Sequence, residues 1–302
     1  MTKQDHIRNV VCPMVTPFDE KSNINFSKIP ELLDHLFSGG IRALLVAGTT
    51  GEGMLLSISE RKKLSEAVVK YAEGRFKVII HTGCTSTRET IDLTEHSKSV
   101  GADAASVITP YFFSYSQDEL FDHYSQIAKE VDQFPILLYS FPGNAGNYIS
   151  TGLLRKLIDY CPNYVGIKLS DVNLIQFQEY VNDTPKKGFY VYCGVDALML
   201  PALSIGSSGQ VSGNSNVFPI IFCDLFKAFE SGSLQKAQQL QRRINQIRGV
   251  FHDNIAYFKA ALKLFGLDVG QTRSPIHWLD DTEFQLLQKQ LDMLSSRNLG
   301  EP

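Results

Sequence analysis

The stretch VVCPMVTPFDEKSNIN, residues 10–25, decides between two α/β architectures. Its first five residues, Val10–Met14, read as a short buried strand. A doubly wound nucleotide-binding sheet would follow that strand with a glycine fingerprint, so that backbone could approach a pyrophosphate. No glycine occurs in the stretch. Seven further β-rich runs lie downstream: Ala43–Ala47, Lys77–Thr82, Ala104–Thr109, Ile136–Ser140, Tyr164–Leu169, Tyr190–Cys193 and Gln210–Ser212. Amphipathic segments separate them: Phe26–Phe37, Ser59–Ala72, Thr87–Val100, Gln117–Val131, Thr151–Tyr160, Leu174–Val181 and Ala197–Ile205, with Pro219–Phe229 after the last. Apolar residues at helical spacing mark them, as in Leu64, Ala67, Val68 and Tyr71. Ser59 before Glu60, and Ser116 before Asp118 and Glu119, read as helix starts. Eight strands, each followed by a helix and without hairpin signals, predict a (β/α)8 TIM barrel over residues 1–229. The pattern then reads as helical to the end, with Leu234, Ala237, Leu240, Ile244 and Ile247 in register. Residues 230–302 are therefore expected as a C-terminal helical extension packed on the barrel, since no linker-like stretch sets them apart.

Bulk properties exclude several function classes. The 302 residues carry a net charge of −3, with 43% apolar and 20% charged residues. No basic block favours nucleic acid or an anionic membrane. The N-terminus lacks the apolar core of a signal peptide, and no apolar run approaches a membrane span. The five cysteines, Cys12, Cys84, Cys161, Cys193 and Cys223, are scattered and form no C-x-x-C. They read as buried free thiols in a reducing cytoplasm. The seven histidines show no metal-binding spacing, so no metal site is expected.

Candidate chemistry clusters at the C-terminal strand ends, where a barrel of this kind places its active site. In NYVGIKLSDV, residues 163–172, alternation puts Val165, Ile167 and Leu169 on one face. Gly166, Lys168 and Ser170 take the other. If that second face is the barrel interior, Lys168 sits in the mouth, where an amine shielded from water is more readily neutral and nucleophilic. A solvated lysine at a strand end is the alternative. VAGTTGEGM, residues 46–54, offers two hydroxyls and free N–H groups suited to a small carboxylate. It is neither a Walker loop nor G-x-G-x-x-G, and a plain turn would look similar. Tyr139 ends the fifth strand before a Pro142, Gly143, Gly146 loop and could relay protons beside an amine, or simply bond backbone. TPYFF (109–113), CGVD (193–196) and GQVSGNSN (209–216) end strands four, seven and eight.

Together VTPF (15–18), GTTGE (48–52), TPY (109–111), LYSFPGNAG (138–146), GIK (166–168), CGVD and GQVSG (209–213) resemble the pyruvate-dependent class I aldolases of the dihydrodipicolinate synthase / N-acetylneuraminate lyase family. The resemblance runs from about residue 8 to 290 and is specific at superfamily level. It implies Lys168 as Schiff-base lysine, Tyr139 as proton-shuttling phenol, and Thr49 and Thr50 as holders of the pyruvyl carboxylate. Gly51 and the backbone near Val211 would line the same pocket, with Tyr111, Gly194 and Ser140 as further candidates. It also implies no external cofactor, a small-molecule 2-keto acid substrate, and a homotetramer built as a dimer of dimers.

The sequence departs from the family at two points. Lysine-pathway synthases carry an arginine in the loop after the tyrosine that grips the aldehyde's carboxylate. Here that loop is Pro142-Gly143-Asn144-Ala145-Gly146, with no arginine before Arg155. Phe112 stands where most members place a tyrosine contributed across a subunit contact, and it can neither donate nor accept. The loop looks more like aldolases acting on 2-keto-3-deoxy sugar acids, so cleavage of such an acid to pyruvate and an aldehyde is the expected activity. A synthase or dehydratase with the same Schiff-base chemistry is the alternative. A non-catalytic pyruvate sensor is the third reading.

Overall fold

A computed structural model describes residues 9–170, 173–184 and 188–296. The outer ends of the two expected segments, 1–8 and 297–302, lie outside the described residues. Eight parallel strands close in sequence order into a barrel: β1 (Val10–Pro13), β2 (Ala43–Val46), β3 (Lys77–His81), β4 (Ala104–Ile108), β5 (Ile136–Ser140), β6 (Tyr164–Leu169), β7 (Tyr190–Cys193) and β8 (Gly209–Val211). The helices that follow them are α1 (Ile29–Ser38), α2 (Ile58–Ala72), α3 (Thr87–Ser99), α4 (Gln117–Glu130), α5 (Thr151–Tyr160), α6 (Leu174–Asn182), α7 (Met199–Ser204) and α8 (Pro219–Glu230). Three more close the chain: α9 (Leu234–Phe251), α10 (Ile255–Leu264) and α11 (Asp281–Ser296). The chain is a (β/α)8 TIM barrel, as its alternation of strand and helix predicts.

Two helix starts repay inspection. Ser116 caps α4 in a reciprocal capping box with Glu119. For α2 the cap is Ser57 rather than Ser59: Ser57 and Glu60 form the box, and Ser59 is already inside the helix. The sequence carries two serines at compatible positions, and only the one three residues before Glu60 can close the box.

The barrel interior is filled by one residue or two from each strand, among them Val11, Leu45, Ile79, Leu137, Tyr192 and Val211. Outside, Val107, Leu138, Ile167 and Leu169 pack on α4, α5 and α6. A bulge between Ile136/Leu137 and Tyr164/Gly166 breaks the regular alternation of β6. Val165 therefore leaves the face of Ile167 and Leu169 and packs with the interior cluster. This corrects the expectation that the three share a face. Past the bulge alternation resumes, and Lys168 does point inward.

Leu200, Phe222, Ala237, Phe258 and Leu291 share one continuous core with β1, β2 and β3. The closing helices thus bury their apolar faces against the barrel itself. After Phe229 the helical pattern has one long interruption. Residues 267–280 run as an irregular strap between α10 and α11. Gly270, with φ +77, lies so close to Phe18 that a Cβ there would come within 2.0 Å of the Phe18 carbonyl oxygen. The strap is thereby pressed onto the loop after β1.

Candidate functional site

Tyr139 and Lys168 are direct register partners on adjacent strands. Both side chains turn into the barrel at the C-terminal ends of the strands. Tyr139 is 1% and Lys168 8% exposed. The lysine Nζ lies 4.0 Å from the centre of the phenol ring. Thr49 Oγ1 is 3.4 Å from Tyr139 Oη, and either can donate. Burial alone would push the Tyr139 phenol up. The Lys168 ammonium, with hydrogen bonds from Thr49, Lys168 and Ser170, outweighs it and holds the phenol below its usual value. A tyrosine so placed gives up and regains a proton more easily than one in water.

Thr49, Thr50 and Gly51 come from the loop after β2. Its backbone folds tightly on itself. The Glu52 N–H donates to the Thr49 carbonyl at 3.0 Å, and the Gly53 N–H donates to the Gly48 carbonyl at 3.0 Å. The Thr16 hydroxyl clamps the Gly51 carbonyl at 2.5 Å. Two non-glycine residues, Ala47 (φ +55) and Glu52 (φ +56), adopt the left-handed region. Such strain gathers where a loop must hold a functional shape. A Cβ on Gly213, just past β8, would come within 3.4 Å of Thr50 Oγ1. The loop and the end of β8 therefore meet at the mouth.

The remaining candidates divide. Gly194 touches the site: a Cβ there would lie 2.9 Å from Lys168 Cε and 2.3 Å from Ser170 Oγ. Val211 is buried in the barrel interior. Tyr111 is half-buried against the cluster of Ile108, Tyr139 and Ala145. Burial and the Cys84 thiol push its phenol up, with Arg61 opposing. Ser140 is not brought to the mouth. It lies on the strand face opposite Tyr139, where its hydroxyl accepts the Ile149 N–H at 3.3 Å. Arg155 is 60% exposed and paired with Asp183. Phe112 is 87% exposed beside Phe113, with φ +81.

Two further residues stand at the site. Ser170, on the strand face of Lys168 as alternation reads it, helps to lower the Tyr139 phenol. His81, at the end of β3, packs edge-on against the Tyr139 ring with centroids 6.1 Å apart. Burial, then Arg61 and Lys168, pull His81 far down, so it is neutral. Arg61 Nη2 stands 3.2 Å from His81 Nδ1, and a guanidinium can only donate, so the ring proton belongs on Nε2. For His81, which no motif carries, the signal would have been a polar residue in strand register with an inward-facing neighbour. A cleft of about 720 Å³ opens at the opposite end of the barrel between α4 and α5, lined by Phe121, Lys129 and Tyr160 among others. It shares no residue with this site.

An amine and a phenol buried together at the C-terminal mouth of a (β/α)8 barrel, beside a hydroxyl-bearing turn, suit carbonyl chemistry through a Schiff base. The class these features define is the lysine-dependent lyases. A profile of the dihydrodipicolinate synthetase family matches residues 6–294, and the chain belongs to that family. It is 37% identical to 4-hydroxy-tetrahydrodipicolinate synthase of Bacillus subtilis over 277 residues, 91% of this chain and 95% of that protein. Dihydrodipicolinate synthase of Aquifex aeolicus superposes with a TM-score of 0.90 at 31% identity, covering 96% and 99% of the two chains. A prophage protein of the same family from E. coli K12, crystallised with pyruvate, gives 0.90 at 27% identity over 95% and 98%. The chain is accordingly an enzyme of the class I, pyruvate-dependent Schiff-base type.

Proposed function

We propose that this enzyme cleaves a 2-keto-3-deoxy sugar acid to pyruvate and an aldehyde, with Lys168 as the Schiff-base residue. The observation that carries the assignment is the buried contact between Lys168 and Tyr139, with the Thr49 hydroxyl on the phenol. The neutral amine attacks the C2 ketone, and Tyr139 gives its proton to the carbinolamine hydroxyl, which leaves as water to give an iminium and a phenolate. The iminium draws the C3–C4 bonding electrons as the Tyr139 phenolate takes the proton from the C4 hydroxyl, and the aldehyde leaves. Protonation of the enamine at C3 and hydrolysis release pyruvate and restore the amine. Thr49, Thr50 and the Gly51 backbone hold the carboxylate, and the backbone near Val211 closes the pocket. No external cofactor takes part.

The substrate class rests on the segment after β5. Pro142–Ala145 forms a single helical turn without a cation. A second acidic substrate arriving as an aldehyde would find no bidentate clamp there. The synthase reading keeps one observation in its favour, the names of relatives 33% to 37% identical. Pyruvate release from a panel of 2-keto-3-deoxy acids, run beside condensation of pyruvate with aspartate semialdehyde, separates the two. Efficient cyclic product in the second assay would overturn the cleavage reading. The assembly we assign is a homotetramer, a dimer of dimers, with the exposed Phe112 and Phe113 covered by a second copy. The compartment we assign is the cytoplasm, in keeping with five buried, free cysteines. No helix among the described residues is long and apolar enough to cross a membrane.

A further inference from the structure

Behind the turn that carries Thr49 and Thr50 lies a buried charge cluster that the proposed chemistry does not use. Lys259 of α10 and Glu52 have side chains 0% exposed, and Nζ stands 2.6 Å from Oε1. The other carboxylate oxygen accepts the Arg273 N–H of the strap at 2.7 Å. Lys259 also donates to the Gln271 carbonyl at 3.0 Å and lies over the Phe18 ring at 4.2 Å. The pair therefore joins three parts of the chain: the loop after β1, the turn after β2, and the strap with α10. Two charges taken wholly out of water are a poor source of stability, because their desolvation cancels much of their attraction. Well-packed apolar side chains would serve cohesion as well. What such a pair supplies is registry, since each charge has one acceptable place.

Here that place is adjacent to the carboxylate-holding hydroxyls. Glu52 is left-handed at φ +56, and its own N–H donates to the Thr49 carbonyl at 3.0 Å. We infer that Lys259 and Glu52 are positioning residues: they lock the turn so that Thr49 and Thr50 meet the carboxylate of the 2-keto acid, and so set the affinity for pyruvate without touching it. The inference rests on the role proposed above for the two threonines. The charged groups facing Lys259 are Glu52 from the turn and Arg273 from the strap, the latter paired with Glu60 of α2 at 2.7 Å. Burial draws Lys259 down to about 8, with Glu52 opposing. Above that pH the ammonium is lost and the lock opens.

The test is the pyruvate concentration that gives half-maximal borohydride trapping on Lys168, located by peptide mapping. It is measured in the full-length wild type, Glu52→Gln, Lys259→Met and Lys259→Arg, with thermal melting alongside. Glu52→Gln and Lys259→Met should raise the half-saturating concentration about tenfold or more, while saturated trapping stays on Lys168. A purely cohesive role would lower the melting temperature and leave half-saturation unmoved, and folded variants behaving so overturn the inference. In wild type, half-saturation should climb above about pH 8. In Lys259→Arg, whose guanidinium does not titrate, that climb should vanish. If the two single variants fail to fold, this comparison decides, and a climb that persists in Lys259→Arg overturns the inference. Wild-type protein that traps pyruvate on another lysine, or not at all, overturns the assignment of Lys168 and this inference with it.

Discussion

A Schiff base formed by Lys168 would ask two things of one side chain, a buried position and a primary amine. Arginine meets the first and fails the second, because its guanidinium stays protonated in proteins. Lys168→Arg should fold, lose essentially all carbon–carbon cleavage, and give no borohydride-stable pyruvate adduct by mass spectrometry. An adduct on another lysine in wild type would sink the assignment. Tyr139→Phe separates proton transfer from the nucleophile. It removes the phenol bonded by Thr49 and Ser170 but keeps the ring under the lysine. Turnover should fall about 10²–10⁴-fold, the usual worth of a positioned acid–base group, while adduct still forms on Lys168. The placing of both side chains at neighbouring strand ends was legible in the sequence, because each sits in a motif there. His81 was not. A single histidine in an apolar strand says nothing until Arg61, twenty residues earlier on another element, is seen donating to it.

Among elements, β6 and the strap mark where sequence pattern stops. Alternation reads β6 correctly only beyond Gly166. The bulge that moves Val165 inward depends on how β5 pairs with it, and that partner is not written in β6. Ser140, a further candidate in the sequence, faces away for a related reason, because a strand-end residue points to the mouth only if its parity matches Tyr139. The strap defeats periodicity altogether: its structure comes from long-range bonds, chiefly those of Arg273. That guanidinium reaches Glu60 at 2.7 Å, Leu55 at 2.9 Å and Ser22 at 2.6 Å. Arg273, with help from the Ser57 cap, holds the Glu60 carboxyl at about 2, below its ordinary value of 4.5. A carboxyl depressed by folding stabilises the protein above its unfolded value and loses that contribution as pH falls through the folded one. Glu60→Gln should thus be less stable than wild type near neutrality, by roughly 0.5–1 kcal/mol once solvent screening is allowed for. The gap should close between pH 4.5 and 2. Urea unfolding of both proteins at pH 7 and pH 3 measures it, and a pH-independent gap would mean the ion pair contributes nothing.

For the whole molecule the question is what covers Phe112 and Phe113. Phe112 is 87% and Phe113 63% exposed, and their rings meet edge to face at 5.0 Å. An aromatic pair left in water at the tip of a loop forfeits the apolar burial that its size offers. Phe112 also holds φ +81, which a bulky residue adopts only when its surroundings compensate. Within one chain those surroundings are absent, since most of its side chain faces solvent. A second copy docked over the mouth loop would supply both the burial and the compensation, and it would do so beside Tyr111, whose flank touches the Tyr139 cluster. Phe112→Asp places a charge where the apolar contact would form, and a buried unpaired carboxylate is costly. The variant should sediment as a smaller species than wild type at equal concentration, and its saturated trapping on Lys168 should persist, because Lys168, Tyr139 and Thr49 all come from one chain. Sedimentation velocity across a hundredfold range of concentration makes the comparison. Identical profiles for the two proteins would remove this face from the assembly. Loss of trapping together with association would show instead that a neighbouring subunit shapes the site, and that the relay does not close within a single barrel.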